Sequence, residues 1–302
     1  MSPPSTSSDY PERRRVALVT YHELPDLADD DRLLIPALAR HELDAEPAVW
    51  NDPAVDWSRY AAAVVRSTWD YYHDVSAFFR WIARLEEYGV PLYNPPGVLR
   101  WNADKRYLRE LASAGIPVVP TRWVENGDGV SLLDVLDECR WEEAVVKPAV
   151  SASAWETWKT SRTKAGAHEA RFRRLVSRGT VMVQPFIAEV ARDGEWSLLY
   201  LGGEFSHAVV KRARSGDFRV QPRHGGSVSL EQPSREIQSQ AESVLRAALT
   251  DPARSLYARV DGCVAHGRFL LMELELLEPS LFLHLAPGAP ERLARALGGR
   301  LG

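Results

Sequence analysis

Cysteine is almost missing from this 302-residue chain. Only Cys139 and Cys263 occur, with no C-x-x-C spacing. That excludes a disulfide framework and points to a reducing compartment, with each thiol read as a small core hydrophobe. No apolar run approaches the roughly 20 residues a membrane span needs. The first 15 residues are Ser/Pro-rich and then basic, and no apolar stretch follows that would make a secretory signal. Residues 1–14 therefore read as a disordered tail, and the cytoplasm is the expected location. A surplus of basic charge is also lacking: 37 Lys and Arg against 41 Asp and Glu leave a formal charge of -4, which gives no bulk attraction to nucleic acid. The eight histidines form no H-E-x-x-H pair and no G-x-S-x-G elbow occurs, so no covalent protein intermediate is expected.

What is present is enough chain for two or three units that each bury a core. Val16 to Thr20 is a β-branched run followed by a helical pattern through Leu33, Leu34, Ala37 and Leu38. A second apolar run, Ala61 to Val65, precedes Val75, Phe78, Phe79, Ile82 and Leu85 at helical spacing. This β-then-α alternation predicts a parallel, Rossmann-like layer over residues 15–98. Ligands of such layers sit beyond the strand ends, which marks Arg66 and Asp70. Asn94-Pro95-Pro96-Gly97 punctuates the chain. Beyond it an α+β body is expected, with Val118 to Val124 pairing with Ala144 to Val146, and hairpins over Ser197 to Val210 and Tyr257 to Leu277.

The late hairpin carries the clearest chemistry. Glu273 and Glu275 are two apart in an apolar strand and so share a face. With Ala265 to Gly267 as a three-residue loop, Asp261 falls opposite Leu271, on the same face and diagonal to Glu273. Three converging carboxylates repel one another unless a cation neutralises them. Oxygen ligands without His or Cys favour magnesium, or manganese. An exposed strand face with ordinary surface glutamates is the alternative. A metal of this kind commonly carries phosphates, whose counter-charges would be Lys147, ending the strand Ala144-Val145-Val146, and Lys105 at a helix start.

The order of these elements resembles the ATP-grasp superfamily over roughly residues 100 to 280: a lysine-bearing helix, "GIPVVPT", "VVKP", "VQPFI", a Gly-Glu pair and a D…ExE hairpin. The resemblance implies a pre-ATP-grasp domain over 15–98, one lobe over 99–186 and a second over 187–302. It implies that Lys105 and Lys147 bind ATP phosphates, helped by Ser151 and Ser153, and that Gln184, Phe186 and Ile187 hold adenine. Glu195 would accept the ribose hydroxyls, and Lys211, Arg212 and Arg219 would face the transferring phosphate. One departure is Ala149 to Trp155, where relatives of this fold often carry glycines; backbone geometries that depend on glycine are expected to be lost there.

Within the superfamily, "RSTWDY", "GEWSL", "GEFSHAVVKR" and "GDFRVQ" resemble the D-cycloserine synthetase (O-ureido-serine cyclo-ligase) subgroup. This implies an ATP- and magnesium-dependent ligase that phosphorylates a small amino-acid-like substrate and joins it to an amine, either between molecules or by closing a ring. Arg66, Asp70 and Ser280 are its candidate substrate contacts, the arginine for its bidentate fork. Nucleotide binding without ligation, and phosphorylation without ligation, stay open, as does a homodimer.

Overall fold

The computed structural model describes residues 14–214 and 225–302. Of the tail read over residues 1–14, residues 1–13 lie outside the described residues, as does the segment holding Arg219, while Arg14 already belongs to the first strand. The chain opens with β1 (Arg14–Thr20), α1 (Asp29–Arg32), α2 (Leu34–Ala39), β2 (Leu43–Val49), β3 (Ala62–Ser67), α3 (Val75–Glu87) and β4 (Leu92–Tyr93). These strands form a parallel sheet in the order β2-β1-β3-β4. β3 is buried along its whole length, as a central strand covered on both faces must be. In α3 the side chains of Phe78, Trp81, Ile82 and Leu85 fall on one face and are buried, while Asp74 caps the helix by accepting from the Ala77 amide.

Two short helices, α4 (Pro96–Asn102) and α5 (Tyr107–Ser113), lead into a second sheet. It contains β5 (Arg122–Val124), β6 (Glu143–Pro148), β7 (Trp158–Ser161) and β8 (Val181–Pro185), packed by α6 (Leu132–Cys139) and α7 (Ala165–Val176). Its order is β5-β8-β6-β7, antiparallel throughout. The expected pairing of Val118 to Val124 with Ala144 to Val146 is thus corrected, because β8 lies between them. Pro117 and Pro120 cannot donate to a ladder, so the chain between them bridges instead to Leu271 of the last hairpin.

The third sheet follows α8 (Ala188–Asp193) and consists of β9 (Glu195–Leu201), β10 (Glu204–Arg212), β11 (Ser227–Glu231), β12 (Tyr257–Ala265) and β13 (Arg268–Glu275). Its order is β11-β10-β9-β12-β13, with α9 (Arg235–Ala248) packed against it and α10 (Ala289–Leu301) closing the chain. Leu18 and Val64 of the first sheet share one core with Leu199, Leu201 and Val209 of the third and with Leu293 and Leu297 of α10. The first and third sheets are therefore welded through apolar burial. No helix among the described residues is long and apolar enough to cross a membrane.

The β12–β13 hairpin departs from its expected register. The turn is the two residues His266 and Gly267, both at positive φ, as a tight hairpin turn of this length requires. Such a turn alone would set Asp261 opposite Met272 and throw Asp261 and Glu273 onto opposite faces. A β-bulge between Asp261 and Gly262 in the pairing shifts the register by one, so that Asp261 faces Glu273 directly and Arg259 faces Glu275. The acids share a face, but by a different route from the three-residue loop.

Candidate active site

The three sheets meet around a cavity of about 580 Å³. Its floor is one face of the third sheet, and the register assembles it. Ser197, Asp261 and Glu273 align across β9, β12 and β13, while Lys211 pairs with Glu195 and Arg259 with Glu275. These polar side chains interlock. Arg259 donates from Nε and Nη2 to Asp261 at 2.9–3.1 Å, also donates to Glu275, and reaches the Ser280 carbonyl at 3.0 Å. Lys211 Nζ lies 2.5 Å from Glu195 and 3.4 Å from Asp261. Ser197 donates to Asp261 at 2.5 Å.

The electrostatics follow from this pairing. Burial opposes the charge of Asp261, but Arg259 and Lys211 outweigh it and hold the carboxyl at about 2. Glu275 goes the other way: burial and the Glu273 charge lift it to about 7 against the pull of Arg259. Asp261, Glu273 and Glu275 share a face and line one cavity, each with a cation against it; among the described residues no three His, Cys, Asp or Glu side chains form a ready-made metal site. The donors are all hard oxygens lining one cavity, a set that fits a magnesium ion.

The two expected phosphate lysines both line the cavity but differ in their surroundings. Lys105 Nζ is 3.1 Å from Glu273 and donates to the Ser151 carbonyl at 2.6 Å. Lys147, at the end of β6, has no ion pair or hydrogen bond among the described residues, and burial pushes its pKa down. Ser151 and Ser153 line the cavity in the segment after it. That segment corrects the expectation drawn from its missing glycines: Ser153, Ala154 and Glu156 take φ of 55°, 57° and 51°, so left-handed backbone is present without glycine. It is held by docking. Val150 and Ala152 enter the core of the first domain, Trp155 stacks on Tyr72 with ring centres 5.3 Å apart, and Glu156 pairs with Arg171 at 2.9 Å.

Gln184, Phe186 and Ile187 line the far end, where β8 leaves the second sheet. The Gln184 amide donates to Thr121 at 2.9 Å, and the Phe186 amide donates to the Glu143 carbonyl at 3.0 Å. Glu195 lines the cavity as the buried partner of Lys211.

Three further expectations are not met. Arg66 is fully buried, donating to Asp31 at 2.9 Å and to the Pro279 carbonyl at 2.5 Å over the Tyr257 ring, so its fork holds the protein together instead of facing a substrate. Asp70 accepts from the Trp50 indole at 2.8 Å and stays off the cavity wall, while its neighbours Trp69 and Tyr71 line it. Arg212 points away because adjacent strand residues face opposite sides; it pairs with Ser229 and Glu231 on β11. Ser280 does line the cavity, and Arg219 lies outside the described residues. Sequence reading missed Arg259 and Glu278. The signal for Arg259 was available: it stands two residues before Asp261 on the same strand face.

Two sheets closing on a cavity lined by lysines and acids, preceded by a parallel layer, define an ATP-grasp ligase, and the chain is an ATP-dependent enzyme of that class. Solved structures agree. D-alanine–D-alanine ligase from Bacillus anthracis complexed with ATP superposes with a TM-score of 0.65 at 15% identity, over 96% of this chain and 100% of that one. The crystal structure of D-cycloserine synthetase DcsG superposes with a TM-score of 0.85 at 30% identity, over 95% of this chain and 100% of that one. The family model "D-cycloserine synthetase DcsG, N-terminal domain" matches residues 16–94. The cycloserine biosynthesis protein DcsG of Streptomyces lavendulae is 32% identical over 283 residues, 89% of this chain and 92% of that protein. The chain belongs to the D-cycloserine synthetase family.

Proposed function

We propose that this ligase closes a ring within one amino-acid-like molecule in cycloserine biosynthesis, with O-ureido-serine as its substrate. The observation that carries this reading is the cavity itself. It is lined by Lys105, Lys147 and Lys211 for a polyphosphate and by Tyr21, Trp69 and Tyr71 from the domain whose sequence matches the D-cycloserine synthetase N-terminal family. Gln184 and Ile187 are the residues that would hold the base of ATP, and the lysines would hold its phosphates. Lys147, lacking a counter-ion, is the cation most in need of a phosphate.

Asp261, Glu273 and Glu275 are the residues that would hold magnesium, and the ion supplies charge neutralisation for the phosphates. Occupancy requires an exchange of partners, since Lys105, Lys211 and Arg259 now sit on those acids. When phosphates draw the cations toward themselves, the carboxylates are released. In the reaction a substrate carboxylate oxygen takes the γ-phosphoryl group and ADP leaves. The nitrogen bonded to the side-chain oxygen then attacks the acyl carbon, loses its proton, and expels phosphate with the bonding pair, and water cleaves the carbamoyl group from that nitrogen as carbon dioxide and ammonia to leave the D-cycloserine ring. Lys211 and Arg259 stabilise charge on the transferring group.

The test is incubation with ATP, magnesium and O-ureido-serine, followed by mass spectrometry of the products. ADP, phosphate and a ring product in equal amounts are expected, and chelation should stop all three. ADP with a stable phosphorylated product would refute ring closure.

A further inference from the structure

Every carboxylate on the cavity floor has a protein cation against it except one. Glu195 and Asp261 share Lys211, Asp261 and Glu275 share Arg259, and Glu273 holds Lys105. Glu278 also lines the cavity, yet its carboxylate makes no ion pair or hydrogen bond among the described residues. Its backbone is fixed. The Trp69 indole donates to the Glu278 carbonyl at 3.2 Å, Arg66 to the Pro279 carbonyl at 2.5 Å, and Arg259 to the Ser280 carbonyl at 3.0 Å. Pro279 restricts the backbone of Glu278 further.

An acid pinned from two domains, with Lys105 and Arg259 near enough to act on it but neither in an ion pair with it, costs the ligand-free protein stability. Burial and the nearby Glu275 push its carboxyl up to about 8, which is the same statement in protons. That cost disappears when a ligand brings a cation. A divalent ion is the poorer candidate. It keeps a full shell of oxygen ligands, whereas Glu278 stands on the aromatic side: among charged groups it acts most strongly on the buried Tyr71 phenol, and its own carbonyl holds Trp69. An ammonium group suits an acid beside aromatic faces.

We propose that Glu278 binds the ammonium group of the amino-acid substrate and so sets the specificity of this ligase for an amine-bearing molecule. The inference rests on the ring-closing reading above. On that reading the product, D-cycloserine, keeps the amine, and isoxazolidin-3-one is the same ring without it.

The experiment is calorimetric binding of both rings to the enzyme loaded with magnesium and ADP. Wild type should bind D-cycloserine about tenfold or more tightly than isoxazolidin-3-one, the range of a charged hydrogen bond. Glu278→Gln should shrink that preference to about twofold, with isoxazolidin-3-one and ADP affinities unchanged, and Glu278→Asp should keep an intermediate preference. An undiminished preference in Glu278→Gln overturns the proposal. So does a loss of ADP affinity or a changed magnesium requirement, which would make Glu278 a metal ligand. A wild type that makes the ring but shows no preference overturns this inference alone, and one that neither makes nor binds the ring overturns the ring-closing reading with it.

Discussion

Lys147 and Lys105 carry the same charge into the same cavity, and the structure predicts opposite consequences when each is replaced by methionine. Among the described residues Lys147 has no acid within ion-pair distance, and burial together with the nearby Lys105 charge pushes its pKa down. Removing its charge takes away no partner, and methionine keeps most of the length and volume. The ligand-free Lys147→Met protein should melt at the same temperature as wild type or higher. Its affinity for ATP should fall, because a charge-assisted contact to phosphate is worth about 1.5–3 kcal/mol, roughly 10- to 150-fold in Kd. Lys105 is different: it holds Glu273 at 3.1 Å and the Ser151 carbonyl at 2.6 Å. Lys105→Met leaves both unsatisfied, about 1–3 kcal/mol for such a group, so the ligand-free protein should melt several degrees lower as well as bind ATP more weakly. Differential scanning fluorimetry without ligand, and calorimetry with a non-hydrolysable ATP analogue and magnesium, read the two quantities separately. A Lys147→Met protein with unchanged affinity, or one destabilised as much as Lys105→Met, would refute the reasoning.

Other outcomes follow from the same geometry. Arg259→Met strands Asp261 and Glu275 without their cation and should cost about 3–5 kcal/mol in urea unfolding. Arg259→Lys should recover little, since one ammonium cannot span two carboxylates and the Ser280 carbonyl; a wild-type midpoint in either variant counts against the network. Trp155→Ala frees the segment after Lys147 from Tyr72 and should raise KM for ATP about 2- to 13-fold, the worth of an aromatic pair. Tyr72→Ala should do the same, and the double variant should add little; fully additive effects would show that the rings do not act through each other. The carboxyl of Glu278, held at about 8 against an ordinary 4.5, keeps a proton in the folded protein that the unfolded chain has lost. Its contribution to ligand-free stability is therefore lost as pH rises from about 4.5 to about 8, and Glu278→Gln should flatten that slope in urea titrations. An unchanged slope in the variant would assign the pH dependence elsewhere.

Much of this was written in linear order along the chain. The alternation of β-branched runs with helical spacing fixed the parallel first layer, and the sequence of Lys105, Lys147, the Gln184 hinge and the Asp261 to Glu275 hairpin marked the nucleotide side of the cavity. Strand parity placed Glu273 and Glu275 together because side chains alternate with a period of two. The same rule, applied to Arg259 and Asp261, would have found the cation that holds the acids.

What the sequence could not decide was which groups face each other across chain segments far apart. Arg66 sits at the end of a strand, where ligands of parallel layers often lie, but only the packing of the third sheet against the first shows the Pro279 carbonyl and Asp31 consuming its donors. Missing glycines suggested a lost phosphate loop, yet Ser153, Ala154 and Glu156 take left-handed backbone, with Trp155 and Ala152 docked on another domain. The hairpin turn and its bulge each shift the register by one residue, and local propensity is too weak to count such shifts. Composition and order thus determined the class of chemistry, an ATP-dependent ligation. Tertiary contact decided the ionisation and pairing of every group that performs it, because burial and the nearest opposite charge are properties of space rather than of sequence.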